Sequence, residues 1–475
     1  MLMSRERLKQ RSCESLSTDA THWGGLARIS VEAPVMSVER RGKIRQSSVY
    51  STRTFRGGNK STMTKPFEIS KHLVMKAFKL VKANKGAAGV DGQSLTAFEE
   101  NLKSNLYKIW NRLSSGSYFP DPVKAVPIPK KSGGTRILGV PTVSDRVAQM
   151  VVRLSIEPDL EKIFLEDSYG YRPNKSALQA VDITRKRCWK NDWVLEFDIK
   201  GLFDNIPHDL LMKAVRKHAH EKWMLICIER WLTAPMQDND GNLIERSMGT
   251  PQGGVISPVL ANLFLHYVFD AWMARQHPQL LWCRYADDGL VHCRTQKQAE
   301  KLLEQLARRF SECGLELHPD KTKIVYCKDS KRRQVYHQNS FDFLGYTFKP
   351  RVAKNSYDNS RFISFAPAVS KSAQKHMSDF IRSQRVHRKS DQSLEQLAEF
   401  WNPTLRGWRN YYGRFQPSQL RLIWNIFNRA LVRWAMRKFK KLFRRKTRAM
   451  KFMIRMASEN PRLFVHWNRE PGRFA

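Results

Sequence analysis

Two adjacent acids stand in the middle of an apolar run, in the stretch LLWCRYADDGLVHC at 280–293. The apolar flanks predict two buried strands, and Asp287, Asp288 and Gly289 between them have the composition of a tight turn. Such a turn needs no further function. However, two carboxylates held against a packed sheet repel each other and lose hydration, and a metal cation would offset both costs. A third acid nearby therefore decides whether a metal site is expected.

Asp198 is the best candidate for that third acid. It ends WVLEFD at 193–198, an apolar strand in which a lone carboxylate would be costly to bury. A strand with one Asp beside a hairpin with two would form a cluster of three carboxylates. Such a cluster can hold two Mg²⁺ ions through oxygen ligands, and two close metal ions stabilise an in-line phosphoryl displacement.

The net charge indicates a polyanionic partner. Lys and Arg number 83 against 44 Asp and Glu, which gives a formal charge of +39. A nucleic acid relieves the self-repulsion of such a chain. An anionic membrane is the less favoured partner, since no apolar run approaches a membrane span. The 7 cysteines include no C-x-x-C pair, which predicts reduced cytosolic thiols and argues against a zinc site.

The order of predicted elements indicates an α+β fold followed by an all-α part. Strands and helices are mixed up to about Ala366, and the pattern is then helical and basic. Residues 1–62 lack clear periodicity, and a natural start at Met63 is equally plausible. The predicted boundaries are 1–62 for a flexible basic extension, 63–365 for the α+β part, 366–436 for the helical part and 437–475 for a basic C-terminal segment.

Five stretches occur in the order and spacing of reverse transcriptases: FDIKGLFDNI, GTPQGGVISPVLANLFL, RYADDG, LHPDKTKIV and FLGYTF. With ANKGAAGVDG, IPKKSGGTRILGVPTVSDRVAQ and LRGWRNYYGRF, they resemble the group II intron-encoded reverse transcriptase/maturase of bacteria over roughly residues 65–470. The resemblance implies a right-hand polymerase fold of fingers, palm with an antiparallel sheet and helical thumb. It also implies copying of group II intron RNA into DNA from dNTP substrates, retrohoming from a primer 3′ end at target DNA, and binding of the intron RNA to assist splicing.

The resemblance assigns roles near the carboxylates. Asp198, Asp287 and Asp288 match the catalytic acids of the palm. Asp198 and Asp287 are favoured as direct metal ligands, and Asp288 is expected to contact these ligands instead of the metal. The backbone carbonyl of Ile199 is a further candidate ligand. Phe203 matches the aromatic residue that crowds the sugar 2′ position, and packing in the core is its alternative role.

Other matches concern the nucleotide. Lys130 and Arg136 flank a Gly-Gly turn and match the finger residues that clamp the triphosphate, although a solvated basic hairpin would be favoured without the palm motifs. Gln252 and its glycines match the loop beneath the incoming nucleotide, where glycine permits close backbone approach. Lys321 or Lys323 matches the lysine that protonates the departing pyrophosphate, and the sequence does not choose between them.

The helical end has a composition suited to RNA. LRGWRNYYGRF interleaves Arg406, Arg409 and Arg414 with aromatic rings, and RKFKKLFRRKTR at 437–448 is basic without an acid. Guanidinium groups bind phosphates and exposed rings stack on unpaired bases. A packed helix with a solvated basic face is the alternative. In the second stretch, the residues expected to bind RNA are Lys440, Lys441, Arg444 and Arg445.

One feature of many relatives is missing. They end in a nuclease module with cysteine pairs, and no cysteine follows Cys327 here. The chain therefore resembles the endonuclease-lacking branch, whose members can use an existing DNA 3′ end at replication forks. A splicing-only maturase and a defence- or CRISPR-associated reverse transcriptase remain alternatives, although the intact acids, Phe203 and Gln252 argue against a decayed polymerase. A cytoplasmic protein that associates with the nucleoid when bound to DNA is expected.

Overall fold

The computed structural model describes residues 65–129, 134–355 and 357–467. The predicted extension at 1–62 and the candidate phosphate ligand Lys130 lie outside these ranges. The first helices are α1 (Lys71–Asn84), α2 (Leu95–Glu100), α3 (Leu102–Ser115), α4 (Val143–Ile163), α5 (Ala177–Cys188), α6 (Leu202–Asn205), α7 (His208–His218) and α8 (Lys222–Thr233).

A local signal explains where the first helix begins. The Ser70 hydroxyl accepts a hydrogen bond from the His72 amide at 3.2 Å, which caps α1. Val74 and Phe78, one helical turn apart, are buried with the rest of its apolar face. This face belongs to the same core as Leu195 of the central sheet, so α1 packs onto the body of the fold.

The first sheet contains the hairpin that the sequence predicts around the Gly-Gly turn. β1 (Val123–Pro129) and β2 (Thr135–Val140) pair antiparallel, and β4 (Met236–Gln237) and β5 (Leu243–Ile244) extend the sheet in the order β2-β1-β4-β5. The amide of Gly139 donates to the Gln252 carbonyl at 2.8 Å. The hairpin is therefore fixed to the loop that contains Gln252.

The central sheet holds the candidate acids. It consists of β3 (Trp193–Asp198), β6 (Leu281–Tyr285), β7 (Asp288–Cys293) and β8 (Lys323–Tyr326), in the antiparallel order β6-β7-β3-β8. Leu195 faces the large core beneath the sheet, whereas Val194 faces a second core above it. Both faces are covered, which explains why the strands read as continuous apolar runs.

The apolar helix that follows the glycine-rich loop around Gln252 is interrupted. α9 (Ser257–Leu265) continues into a π-helical turn at His266–Asp270 and then into α10 (Ala271–Gln276). α11 (Gln296–Glu312) follows the central hairpin and ends before Gly314, whose φ of 74° is the left-handed conformation typical of a helix end. All these helices contribute to the large core.

The helical part begins at Lys371 and not near Ala366 as predicted, because residues 366–369 are the end of a strand. β9 (Phe341–Phe343), β10 (Tyr346–Lys354) and β11 (Arg361–Val369) form a third antiparallel sheet in the order β11-β10-β9. β11 pairs with β10 along its whole length, from Lys354 opposite Arg361 to Tyr346 opposite Val369. This pairing holds the chain extended until Lys371.

The C-terminal helices share one core. They are α12 (Lys371–Ser383), α13 (Leu394–Tyr412), α14 (Arg421–Lys438) and α15 (Lys446–Glu459). Trp401, Trp434, Met453 and Trp467 are all buried in that core. It therefore continues past residue 436, and the described part of the basic C-terminal segment packs with the helical part.

Two further expectations from the sequence concern membrane-spanning helices and the state of the cysteines. No helix in the described part of the chain combines the length and apolarity needed to span a bilayer. The described cysteines are all buried free thiols, at positions 188, 227, 283, 293, 313 and 327.

The central sheet yields a test of its packing. Gly289 of β7 lies opposite Phe197 of β3, and a Cβ at 289 would overlap the Phe197 ring. That ring is held by Phe269 and Phe310 and has little room to move. We expect Gly289→Ala to lower the free energy of unfolding by about 1–3 kcal/mol, measured by chemical denaturation.

The cause of that loss is separable by a double mutant. A Phe197→Leu background removes the atoms that clash, so Gly289→Ala should cost less there than in the wild type. An equal cost in both backgrounds would show that the Phe197 ring is not responsible.

Candidate active site

The fold brings together the three acids that the sequence singles out. β6 and β7 form the predicted hairpin, with Asp287 in its turn and Asp288 at the start of β7. β3 pairs antiparallel with β7, and Asp198 is the register partner of Asp288. Ala286, just before the acids, has a φ of 56°, a left-handed conformation that costs of order 1 kcal/mol or more for a non-glycine residue.

Burial and the neighbouring acids perturb the carboxyl group of Asp288. Burial is the largest cause, followed by the charges of Asp287 and Asp198, and together they raise the pKa of Asp288 well above its ordinary value. Three charged carboxyl groups in this buried place are therefore unfavourable. A divalent cation would remove that penalty.

The donor set fits Mg²⁺ in its chemistry, although the carboxylates do not converge on one point. Oxygen ligands with crowded negative charge are what Mg²⁺ requires. Yet within the described ranges no three His, Cys, Asp or Glu side chains form a ready-made metal site. One oxygen of Asp198 instead accepts a hydrogen bond from a lysine.

That lysine is Lys321. Its Nζ lies 3.0 Å from Asp198 Oδ2. Partial burial lowers the pKa of Lys321, but the hydrogen bond to Asp198 and the charges of Asp288 and Asp287 outweigh it, so the pKa lies above its ordinary value. Lys323 instead lies 3.4 Å from Glu196 Oε2. The structure therefore places only Lys321, of the two candidates, at the carboxylates.

Glu196 is a member of this site that the sequence reasoning missed. Burial raises the pKa of Glu196 to about 7, even though Lys323 opposes the shift. Glu196 lines a cleft of about 250 Å³ together with Asp198, Asp288 and Lys321. The signal was present in WVLEFD, because residues two apart on a strand point to the same face.

Ile199 and Phe203 follow directly on β3. The bridge from Ile199 to Leu317 uses the Asp198 carbonyl and the Lys200 amide, so the Ile199 carbonyl takes no part in those two bonds. The Phe203 ring is half-buried on α6 and meets Tyr171 edge to face, with centroids 6.4 Å apart. It packs at the margin of the large core, so both proposed roles of Phe203 remain compatible with its position.

Gln252 and Arg136 lie on the finger side. The Gln252 amide donates to both carboxylate oxygens of Asp204, at 3.0 and 2.9 Å. Asp204 therefore braces the loop that contains Gln252. Arg136 is exposed on β2, opposite Ile128.

The packing of the rings at the helical end favours one of the two readings of LRGWRNYYGRF. The four rings are half-buried, so part of each is occupied by contacts within the fold. Trp408 joins the helical core, and Tyr411, Tyr412 and Phe415 surround Tyr346 of β10. These rings attach the helices to the third sheet, which is the packed-helix alternative.

The basic residues of this region differ from one another. Arg406 and Arg414 are exposed, whereas Arg409 is half-buried and donates to the Val465 carbonyl at 3.2 Å. The turn between α14 and α15 is fully exposed at the four positions expected to bind RNA: Lys440, Lys441, Arg444 and Arg445.

Comparison with known proteins now identifies the family. Residues 128–348 match the model described as reverse transcriptase (RNA-dependent DNA polymerase), and residues 374–452 match the group II intron, maturase-specific domain. Protein YkfC of Escherichia coli (strain K12) is 31% identical over 333 residues, covering 61% of this chain and 83% of YkfC. The chain belongs to the group II intron reverse transcriptase/maturase family.

Other relatives share parts of their length. The group II intron-encoded protein LtrA of Lactococcus lactis subsp. cremoris is 36% identical over 194 residues, covering 40% of this chain and 32% of LtrA. A putative COX1/OXI3 intron 1 protein of Saccharomyces cerevisiae is 27% identical over 287 residues, covering 57% of this chain and 32% of its own length. The chain thus matches about a third of each of these two proteins.

Among solved structures, telomerase from Candida albicans with a fragment of telomeric RNA gives a TM-score of 0.40 at 14% identity, covering 79% of this chain and 68% of that chain.

The family models confirm the α+β reverse-transcriptase fold with a helical C-terminal part. They also confirm the RNA-directed DNA polymerase and intron maturase functions at the level of the family. Relationship to group II intron maturases also implies binding of intron RNA.

The two lysines can be separated by experiment. We expect Lys321→Met to slow addition of a single dNTP by about 100-fold, the low end for loss of a general acid. Lys323→Met is the matched control and should leave the rate nearly unchanged, since it contacts Glu196 instead of Asp198. A larger defect in the Lys323 variant would reverse the assignment.

Proposed function

We propose that this chain copies group II intron RNA into DNA during retrohoming, from a primer 3′ end at target DNA, and binds the same RNA to assist splicing. The observation that carries the polymerase proposal is the register of Asp198 opposite Asp288, with Asp287 in the adjoining turn. Three acids from two separate motifs meet at one end of a sheet, beside a lysine and a cleft. A cluster of carboxylates that can hold two metal ions is what two-metal phosphoryl transfer requires.

Asp198, Asp287 and Asp288 would hold two Mg²⁺ ions, with the Ile199 carbonyl as an additional ligand. When bound, the ions would activate the attacking 3′ oxygen and stabilise the leaving one. Lys321 is placed to give a proton to the departing pyrophosphate, because its ammonium group already lies among the acids.

The nucleotide would be bound from the finger side. Arg136 and Lys130 would bind the triphosphate, the first as a fork and the second as a point charge. Gln252, anchored on Asp204, would support the base and sugar from below. Phe203 would exclude ribonucleotides by filling the space of a 2′ hydroxyl.

The intron RNA would lie along the exposed basic residues of the helical part. Arg406, Arg414 and the turn between α14 and α15 support this surface. Arg409 contributes less, since it secures the backbone at Val465. We also propose that it acts in the bacterial cytoplasm and at the nucleoid when bound to DNA.

The decisive experiment removes the metal ligands. Asp287→Ala or Asp198→Ala should abolish cDNA synthesis while leaving RNA affinity nearly unchanged, because removal of a metal ligand costs rate much more than binding. Primer extension and RNA binding are measured on the same preparations. Asp209→Ala, an exposed acid in the first turn of α7, is the control. Substantial Mg²⁺-dependent extension by the Asp287 variant would contradict the proposal.

A second experiment tests the RNA surface. Neutralising Lys440, Lys441, Arg444 and Arg445 should weaken intron RNA binding and splicing. It should also flatten the dependence of affinity on salt, by up to about one unit of log–log slope for each phosphate that the variant no longer binds. Extension of a short primer–template should suffer less.

A control with the same change in net charge shows whether the position of the lost charges matters for RNA binding. It neutralises four exposed basic residues at and along α11, namely Arg294, Lys297, Lys301 and Arg308. Equal loss of RNA affinity in both quadruple variants, or an unchanged salt slope in the first, would remove the turn between α14 and α15 from the proposed RNA surface.

A further inference from the structure

Arg284 is fully buried near the end of β6, two residues before the turn that carries the acids. Its side chain donates five hydrogen bonds. Nε and Nη2 donate to the two oxygens of Asp270, at 2.8 and 2.7 Å. Nη1 donates to Asn262 Oδ1 at 3.0 Å and to the Ala286 carbonyl at 3.1 Å, and Nη2 also donates to Ser168 Oγ at 2.8 Å. A guanidinium has five N–H donors, so every donor is used.

The helix beneath the hairpin is shaped to supply two of these partners. Asn262 and Asp270 are eight residues apart on the α9–α10 helix, and a regular α-helix would rotate them roughly 80° away from each other. The π-helical turn at His266–Asp270 lies between them and has a wider turn. Both side chains consequently reach the same guanidinium.

The same cluster holds the turn itself. Arg284 donates to the carbonyl of Ala286, the residue in the left-handed conformation. Asn262 also donates to the Gly170 carbonyl at 2.6 Å, and Gly170 lies so close to the Ala286 amide that a Cβ at 170 would overlap it. The backbone of Arg284 is fixed as well, through bonds with Asp167 and Tyr169. The strained residue is thus held from two sides.

We propose that Arg284 is a positioning residue for polymerisation. Through Ala286 it sets where the turn presents Asp287 and Asp288. The role rests on the proposed assignment of these two acids as catalytic. A buried ion pair is a poor source of stability, whereas a fork with five fixed acceptors defines one geometry. A lysine keeps the charge at this position but offers three donors from one point, so it cannot hold Asp270 and Ala286 together.

The test compares Arg284→Lys with Arg332→Gln. Arg332 is a largely buried arginine near the other end of β3, bonded to Asp329 and to the Cys188 and Asn191 carbonyls. For Arg284→Lys we expect kcat for dNTP addition to fall by about 10- to 100-fold, as a misplacement near 1 Å can cause. RNA affinity and KM for dNTP should hold. Amide deuterium exchange should accelerate in peptides covering 284–290.

Arg332→Gln is expected to lower the thermal midpoint while leaving kcat and exchange at 284–290 unchanged. A folded Arg284→Lys protein with wild-type kcat would overturn the proposal. If that protein does not fold, Ser168→Ala decides, because it removes a single acceptor of the guanidinium. Unchanged kcat and unchanged exchange in Ser168→Ala would overturn the proposal equally. Asp287→Ala tests the catalytic assignment separately, so the two failures are distinguishable.

Discussion

The register between β3 and β7 is the constraint on which the rest of the site depends. A shift by one residue would turn Asp198 to the opposite face of the sheet and away from Asp288. Two features hold the register. Both faces of the sheet are covered by apolar cores, and the Phe197 ring occupies the space above Gly289, where any larger residue would collide with it. The same packing that stabilises the sheet therefore fixes the separation of the acids.

The acids are costly, and their surroundings offset that cost unevenly. Lys321 pairs with Asp198 from the cleft side, whereas burial and the neighbouring charges disfavour the charged form of Asp288. Behind the turn, the Arg284–Asp270 pair is closed and fully buried, so it carries no net charge towards the acids. The negative charge of the acids therefore faces the cleft, where a nucleotide with its metal ions would enter.

Local patterns were sufficient for part of this structure. The Asp-Asp hairpin and the strand ending at Asp198 are each encoded by a few consecutive residues, and both are confirmed. Features set by distant partners were not predictable in this way. The end of β11 is wrongly predicted as helix because its pairing with β10 decides its conformation, and the choice between Lys321 and Lys323 depends on how the segment before β8 approaches Asp198.

Single charges inside apolar runs were the overlooked signal. Arg284 within LLWCRY and Asp270 within LFLHYVFDAW each break a stretch that is otherwise buried, and opposite charges of that kind need each other. Pairing these two residues would have placed the helix under the hairpin. A similar argument applies to Tyr346, Tyr411 and Tyr412. A group of aromatic rings of this size indicates a packed junction between two parts of the chain and not an exposed face. Those rings join the helical part to the third sheet, and the core between them includes Leu290 of β7, so the helical part is packed onto the strand that carries Asp288.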